Sequence, residues 1–521
     1  MVRHFSLLVP TFDPSAVQLR GTIESILAQD YPSFDVRVID DASTTSSVRR
    51  TLDEFASDSR VAAQYRSNHV GNARALSDAL DSATGDFVGV VEPGSSLDPG
   101  ALGAINHHLS LGADDVDFLY TDDALTSEDG LPDDLCFKPD WSPERLRSQF
   151  YTGHFAMVRR SLANDIGGFR TEFEEAYLYD FAFLATERAR RVLHVPRILH
   201  RSPHVVLIGA AEAGRRAVLD HCERIGLPAS VESVERYGSY RVTRPVEGEP
   251  LVSVIIPTGG ATRRVWGAGR VLVLEAVRSI LEKSSYKNIE IVIVADATTP
   301  PDVVADLSEL VGSKLKIVSF DEPFNFSKKC NLGAVAADGK YLLLLNDDVE
   351  IVTADWMETL LGLAQMSDVG LVGAKLLFAD GTLQHAGQFM GDSRPQHIFS
   401  HYPAEISGPS GLLQVDRECS GVTAACAMIR ASTWSDVGGM TELLPNNFND
   451  VDLSLKLRHL GYRNVWTPHA QLYHFESLTR DGKVTPQEYR VLQTRWDEQL
   501  RVDPYGNPNL DPTRSDWVPL A

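Results

Sequence analysis

Two acidic clusters and one histidine in the second half of the chain have the types and spacing to do chemistry. The run Leu342-Leu343-Leu344-Leu345-Asn346-Asp347-Asp348-Val349-Glu350 reads as a buried strand that ends in carboxylates. Hard divalent cations such as Mg²⁺ or Mn²⁺ take oxygen ligands and usually keep contacts to substrate phosphates. A carboxylate at the carboxyl end of a strand can hold such an ion against a diphosphate, although an Asp-Asp pair in that place is most often a solvated turn. The second cluster, Asn447-Phe448-Asn449-Asp450-Val451-Asp452-Leu453, leads into a helical pattern over residues 453–460, closed by Gly461. Asp450 sits near the helix start, where its ordinary role is a cap. Twenty-four residues later comes His474, in Leu472-Tyr473-His474-Phe475-Glu476-Ser477. A lone histidine in a strand is usually packed or hydrogen-bonded. A strand-end Asp, a helix-start Asp and a late His in this order form a set that chance explains poorly.

The elements that position these residues occur twice. Residues 5–9 and 252–256 are short β-rich runs ending in Pro10-Thr11 and Pro257-Thr258. Each is followed by a helical pattern and a second strand. Those strands end in Asp40-Asp41-Ala42-Ser43 and Asp296-Ala297-Thr298. Then come a helix, a Gly85-Asp86 or Gly339-Lys340 turn, and a continuous apolar strand (residues 87–91 and 341–345). Later each half has a Gly-Gly pair, Gly167-Gly168 and Gly438-Gly439, and a last strand carrying a histidine, His200 and His474. Alternating β and α units with near-continuous apolar strands predict an α/β chain with doubly wound, mostly parallel sheets. Such sheets bind ligands beyond the carboxyl ends of their strands, where the Pro-Thr pairs and acidic turns fall. The expected division is 1–204, a joining segment 205–250 with a helical pattern over residues 210–225, and 251–521 with a helical tail.

Composition narrows the partners. With 49 Lys and Arg against 71 Asp and Glu, the 521-residue chain carries a net charge of −22, which argues against broad nucleic-acid binding. Contact with an anionic membrane would have to be local, through clusters such as Arg188, Arg190 and Arg191 or Arg263 and Arg264. Five scattered cysteines, with no Cys-x-x-Cys pair, predict neither a disulfide framework nor a zinc site and suit a reducing compartment. No signal peptide and no bilayer-spanning apolar run is read.

On these motifs the chain resembles glycosyltransferase family 2, inverting enzymes of GT-A fold, and in particular bacterial two-domain members that build O-antigen, rhamnan-type and other surface polysaccharides. The stretches that carry the resemblance are Pro323-Phe324-Asn325-Phe326-Ser327, Leu345 to Glu350, Asp380-Gly381-Thr382-Leu383-Gln384-His385-Ala386-Gly387, and Phe448 to Asp452 followed by Trp466-Thr467-Pro468 and His474. It covers nearly the whole chain and implies two tandem GT-A domains. It implies that Pro257, Thr258, Asp296, Asn325, Asn331, Asn346 and Asp347 hold a nucleoside-diphosphate sugar. Asp348 and His474 would be ligands of a divalent metal, Mn²⁺ or Mg²⁺, and Asp450 the catalytic base. Ala295 stands where the family usually has a first acid. The acceptor implied is a saccharide or lipid-linked glycan at the cytoplasmic membrane face, met by a cytoplasmic or peripherally bound protein. A neighbouring histidine, His385, is favoured over His397 and His401 as a further ligand contact.

Laid on the second half from the shared glycines, the first half puts Gly94 opposite Asp348, Glu92 opposite Asn346 and Ser77 opposite Asn331. Anchored on Asp180 and Asp452, it puts Leu178 opposite Asp450. Thr11, Asp40, Asp41 and His200 remain. The expectation is a first domain that keeps the fold without the transfer chemistry. Three alternatives stay open: a bifunctional enzyme rewired around Glu92 and Asp180, a sugar nucleotidyltransferase, and a non-catalytic glycan-binding scaffold.

Overall fold

A computed structural model describes residues 2–112, 114–126, 132–203, 210–234, 238–475 and 484–520. Glu476, Ser477 and residues 205–209 of the expected joining segment lie outside them. The chain forms two compact units: Met1–Trp141 with Leu146–Val242, and Ser142–Arg145 with Thr243–Ala521.

Each unit is built on one twisted sheet, and the strand order is the same in both. In the second unit it runs Leu315–Phe320, Ile289–Asp296, Val252–Thr258, Tyr341–Leu345, Cys426–Arg430, Val369–Leu377, Arg463–His474, Val349–Ile351. In the first it runs Val61–Tyr65, Phe34–Asp40, Phe5–Thr11, Phe87–Val90, Ala156–Arg159, Val116–Thr126, Arg191–Pro203, Ser96–Leu97. The first four strands of each sheet are parallel. A strand running the other way, Cys426–Arg430 or Ala156–Arg159, is then inserted, so the sheet is mostly parallel with a mixed far half. Both Val252–Thr258 and Tyr341–Leu345 are buried throughout, which is why they read as unbroken apolar runs.

The register shows how deep the duplication goes. Gly339 donates its N–H to Ser253 Oγ at 2.8 Å, and Gly85 does the same to Ser6 Oγ at 2.8 Å. A Cβ on Gly339 would lie 2.6 Å from the Ser253 nitrogen, and one on Gly85 2.6 Å from the Ser6 nitrogen. Only glycine fits where the chain passes that close to the central strand before the motif strand begins.

Within the expected joining segment, the described residues 210–234 and 238–242 belong to the first unit. Helix Ala210–Arg224 buries Ala213, Ala217, Val218 and Cys222, and the hairpin Ser230–Val234 with Ser239–Thr243 adds Val231, Tyr240 and Val242 to that core. An amphipathic helix with a coherent apolar face needs something to bury it against. The helical tail is Pro486–Arg501, opened by a Thr485–Glu488 capping box. Its Leu492, Trp496 and Leu500 pack on Val451 and Leu455 of the helix Asn449–His459. Glu488 also accepts from the Asn446 and Asn447 N–H groups at 3.0 and 2.8 Å, so the tail braces the loop that carries Asp450. Among the described residues the cysteines are free thiols, four of them buried. No helix among them is long and apolar enough to cross a membrane.

Candidate functional site

At the carboxyl ends of the second unit's parallel strands lies a cleft of about 320 Å³. Strand ends supply Pro257, Thr258, Asp296, Asn346 and Asp347, the helix-start loop supplies Asp450, and the last strand supplies His474. Seven of the residues expected there therefore meet on one cavity. Asp348 is not itself part of the lining: it is 4% exposed, with Oδ1 3.2 Å from Nε2 of the lining His474.

Two further expected residues, Asn325 and Asn331, do not reach the cleft lining. Asn325 caps the helix Phe326–Ala336 by accepting from Lys328 N, and its Nδ2 donates to Glu442 O at 2.9 Å. Asn331 pairs with the Met440 backbone in both directions, at 3.0 and 2.9 Å. In the first unit Ser77 exchanges the same two bonds with Phe169, at 3.1 and 3.2 Å. A clamp kept by both units is a feature of the fold, and the polarity of Asn331 is already used by it.

His474 is oriented from behind. Its Nδ1 lies 2.6 Å from Gln384 Oε1, an oxygen that can only accept, so Nδ1 carries the proton and Nε2 offers its lone pair toward Asp348 and the Asn346 Nδ2, 2.9 Å away. A polar group that fixes the tautomer is what a metal-binding imidazole needs. Adjacent ligands on an octahedral ion with bonds of about 2.1 Å lie roughly 3 Å apart, and the Asp348–His474 separation matches that. Among the described residues no three or more His, Cys, Asp or Glu gather into a fuller metal cage. One carboxylate and one imidazole, with the remaining positions left to water and a diphosphate, suit Mg²⁺ or Mn²⁺. Asp347 adds to the case. Burial first, and the charge of Asp348 second, push its carboxyl up to about 7, while Thr258 Oγ1 donates to its Oδ2 at 2.6 Å. Two acids crowded out of water are stabilised by a cation beside them.

The sequence reading missed Lys329. It lies on the helix Phe326–Ala336, 1% exposed, with its ammonium 2.6 Å from Asp296 Oδ1 and within 6 Å of the rings of Phe320 and Phe324. A buried lysine requires such a partner, and here both sides of the pair line the cleft. Its signal was a lysine on the apolar side of a helix next to a strand-end acid. Gln384 and Gln388 were also missed, although Gln384 lies inside a motif singled out above.

Asp450 is not the helix cap. Phe448 takes that position in a left-handed conformation, φ 62°, unfavourable for a residue with a Cβ. Asp450 Oδ1 accepts from Val451 N at 2.8 Å, and Gln388 Nε2 donates to Oδ2 at 3.2 Å. The carboxylate is half-buried, held and open to the cleft. His385 is buried completely, bonded to His397 Nδ1 at 3.0 Å, and its imidazolium form is disfavoured by burial and by the neighbouring His397 and Arg417. His397, not His385, lines the cleft. His401 stacks on Phe378 instead.

The first unit has a cleft in the same place, about 570 Å³, with different walls. Register confirms Gly94 opposite Asp348, because Leu97 and Ile351 each donate to a helix serine, Ser25 and Ser279. It changes the histidine. Leu97 pairs with His200 as Ile351 pairs with Leu472, and Ser96 with Arg201 as Glu350 with Tyr473. The counterpart of His474 is thus Ser202, and His200 is a buried residue beside Asp123 stacked on Phe155. Pro93 replaces Asp347, which leaves the buried Thr11 hydroxyl without a hydrogen-bond partner among the described residues. Ala75 stands opposite Lys329, two residues before the Ser77 clamp on helix Asn72–Ser82. Leu178 packs among aromatic side chains, and Asp180 is tied to Arg170.

The family model described as "Glycosyl transferase family 2" matches residues 6–167 and 253–436. The chain is 34% identical to the uncharacterized protein y4gI of Sinorhizobium fredii, over 98% of this chain and 58% of that protein. It is also 34% identical to the O-antigen biosynthesis protein RfbC of Myxococcus xanthus, over 98% of this chain and 40% of that protein. The chain thus spans roughly half the length of these relatives. Among solved structures it is similar to S. aureus TarS 1-349 in complex with UDP, at 20% identity over 42% of this chain and 65% of that one, TM-score 0.35. Another is the mannosyltransferase PcManGT from Pyrobaculum calidifontis with GDP-Man and Mn²⁺, at 21% identity over 43% and 64%, TM-score 0.33.

Proposed function

This chain belongs to glycosyl transferase family 2, and we propose that its second unit transfers a sugar, with inversion, from a nucleoside-diphosphate sugar to a growing or lipid-linked glycan of a bacterial surface polysaccharide. The observation that carries the reading is His474 on the same cleft as Asp450, with Asp348 3.2 Å from its Nε2, against Ser202, Leu178 and Gly94 at the corresponding places of the first unit. The surface-polysaccharide setting takes its support from the relative named for O-antigen biosynthesis.

Asp450 takes the proton of the acceptor hydroxyl while that oxygen bonds to the anomeric carbon. The bond from that carbon to the diphosphate oxygen breaks on the opposite side, and the nucleoside diphosphate leaves. Gln388 holds Asp450 Oδ2 in place by its Nε2–H. Asp348 and His474 would hold a divalent ion, which when bound neutralises charge on the leaving diphosphate. Gln384 keeps the His474 lone pair facing that position. Lys329 brings a fixed positive charge to the same wall, and Thr258 and Asp296 stand where a nucleoside would rest. Association with the cytoplasmic face of a membrane belongs to the same proposal, as the place of a lipid-linked acceptor.

The test is a panel of nucleotide sugars assayed for metal-dependent release of nucleoside diphosphate by wild type and Asp348→Ala. The reading expects release with at least one donor and its loss in the variant. Release of pyrophosphate instead, or undiminished turnover in the variant, would sink it.

A further inference from the structure

The first unit's cleft is larger than the second's and has a coherent chemistry of its own. Its lining includes Phe12, His69, Glu92, His154, Glu174 and Ser202, and among the described residues no Lys or Arg. Phe12 is 43% exposed, and its ring stacks on His69 at 3.8 Å between centroids and 22° between planes. His69 is fixed in turn by Asp41, 2.7 Å away. Across the cleft Glu92 Oε2 lies 2.7 Å from His154 Nδ1, and Glu92 Oε1 accepts from the Tyr177 hydroxyl. Glu174 is bound to the Asn72 and Ala73 N–H groups, so a carboxylate already occupies the start of helix Asn72–Ser82.

Each feature works against a nucleoside diphosphate. The helix start that could receive an anion is filled by Glu174. Ala75 and Gly94 provide neither the cation nor the metal ligand that Lys329 and Asp348 supply in the second unit. What remains is an exposed aromatic face, prolines, and carboxylate, imidazole and hydroxyl groups able to exchange hydrogen bonds with hydroxyls. An aromatic platform with polar groups at its rim fits a ligand with apolar C–H faces and many hydroxyls.

We propose that the cleft of the first unit is a saccharide site, which takes an uncharged segment of the glycan and excludes nucleoside diphosphates. The inference rests on the reading that transfer belongs to the second unit alone. Phe12 is the stacking platform, and Glu92, held by His154 and Tyr177, is the principal acceptor of sugar hydroxyl protons.

The full chain is titrated with UDP and GDP in the presence of Mn²⁺. It is also examined by saturation-transfer NMR with short neutral hydrolysates of a dextran, a mannan and a rhamnan. Saturation transfer to at least one hydrolysate is expected in wild type and in Asp348→Ala. In Phe12→Ala and Glu92→Gln the affinity falls about tenfold or the signal is lost. Phe12 is a surface residue, so its variant keeps the fold; Glu92→Gln keeps the shape of the wall. Nucleotide binds at no more than one equivalent per chain, and Phe12→Ala leaves that and nucleoside-diphosphate release unchanged. A second nucleotide equivalent removed by Phe12→Ala overturns the proposal. So does undiminished oligosaccharide binding in both variants, or no transfer to any hydrolysate. Failure of the transferase reading shows separately, as nucleoside-diphosphate release that survives Asp348→Ala.

Discussion

At the end of Tyr341–Leu345 the chain turns through Asn346-Asp347-Asp348; at the end of Phe87–Val90 the same turn reads Glu92-Pro93-Gly94. The two turns leave sheets of identical strand order, start from glycines bonded to equivalent serines, and face helices clamped by Asn331 and Ser77. The scaffold therefore does not need the acids. Where Asp347 is missing, Thr11 Oγ1 has no hydrogen-bond partner among the described residues, and the fold tolerates it. Where Lys329 is missing, Asp41 pairs with Arg66 at 3.4 Å and with His69, and accepts from the Val70 and Gly71 N–H groups. The second unit also carries a conformational cost that the first lacks. Phe448, at the helix start before Asp450, has φ 62°, while Ala176 at the matching start has φ −138°. At this helix start the left-handed residue is kept in the second unit, beside the candidate base, and absent from the first.

Four experiments bear on this asymmetry. The largest effect is expected from Asp450→Asn, which should lower transfer about a hundred- to ten-thousand-fold with donor binding retained. Transfer remaining near half of wild type would break the comparison, since it would have to come from the first unit. Next, Lys329→Met should destabilise the second unit by about 2–3 kcal/mol in denaturant unfolding, because it strands Asp296 without its cation. Adding Asp296→Asn should recover much of the loss, as the first unit manages with Ala75. Gln384→Leu frees the His474 ring, and Mn²⁺ affinity should fall about ten- to a hundredfold, read by the paramagnetic relaxation of water protons.

The smallest effect concerns the first unit. Burial opposes the charge of Glu92, but His154 and the Tyr177 hydroxyl overcome it and hold the carboxyl down to about 2. Burial likewise opposes the His154 imidazolium, and Glu92 raises its pKa. The depressed acid contributes stability above its ordinary 4.5 that is lost as pH falls toward 2. The raised base contributes below its ordinary 6.5 and loses this as pH rises through its folded value. The stability lost in Glu92→Gln should therefore be greatest between those ordinary values. Both side chains are partly exposed, so about 1 kcal/mol is the ceiling. A difference independent of pH would remove the ion pair from the account.

Much of this was legible in the residues. Continuous apolar runs, paired glycines and repeated acidic turns announced two α/β units, and the spacing from Gly339 to Asp348 and from Gly85 to Gly94 survived into the strand register. The histidine did not survive. His200 and His474 look equivalent because each lies near the end of a last strand, yet the pairing with Ser96–Leu97 puts Ser202 opposite His474. A strand's side chains alternate, and spacing within one strand says nothing about the neighbour it pairs with. The reach of Asn325 and Asn331 was equally hidden, since an amide that serves a backbone clamp and one that serves a ligand have the same letter.

By itself the sequence determined the duplication, the class of fold and the loss of Asp348 and Asp450 at the matching places of the first unit, because those follow from periodicity and local turn chemistry. Tertiary structure alone decided that Lys329 is buried against Asp296, that Gln384 sets the proton on His474, and that helix Ala210–Arg224 packs into the first unit's core. Each of these depends on contacts between residues far apart in the chain, and burial and pairing are properties of the packed molecule that no local pattern records.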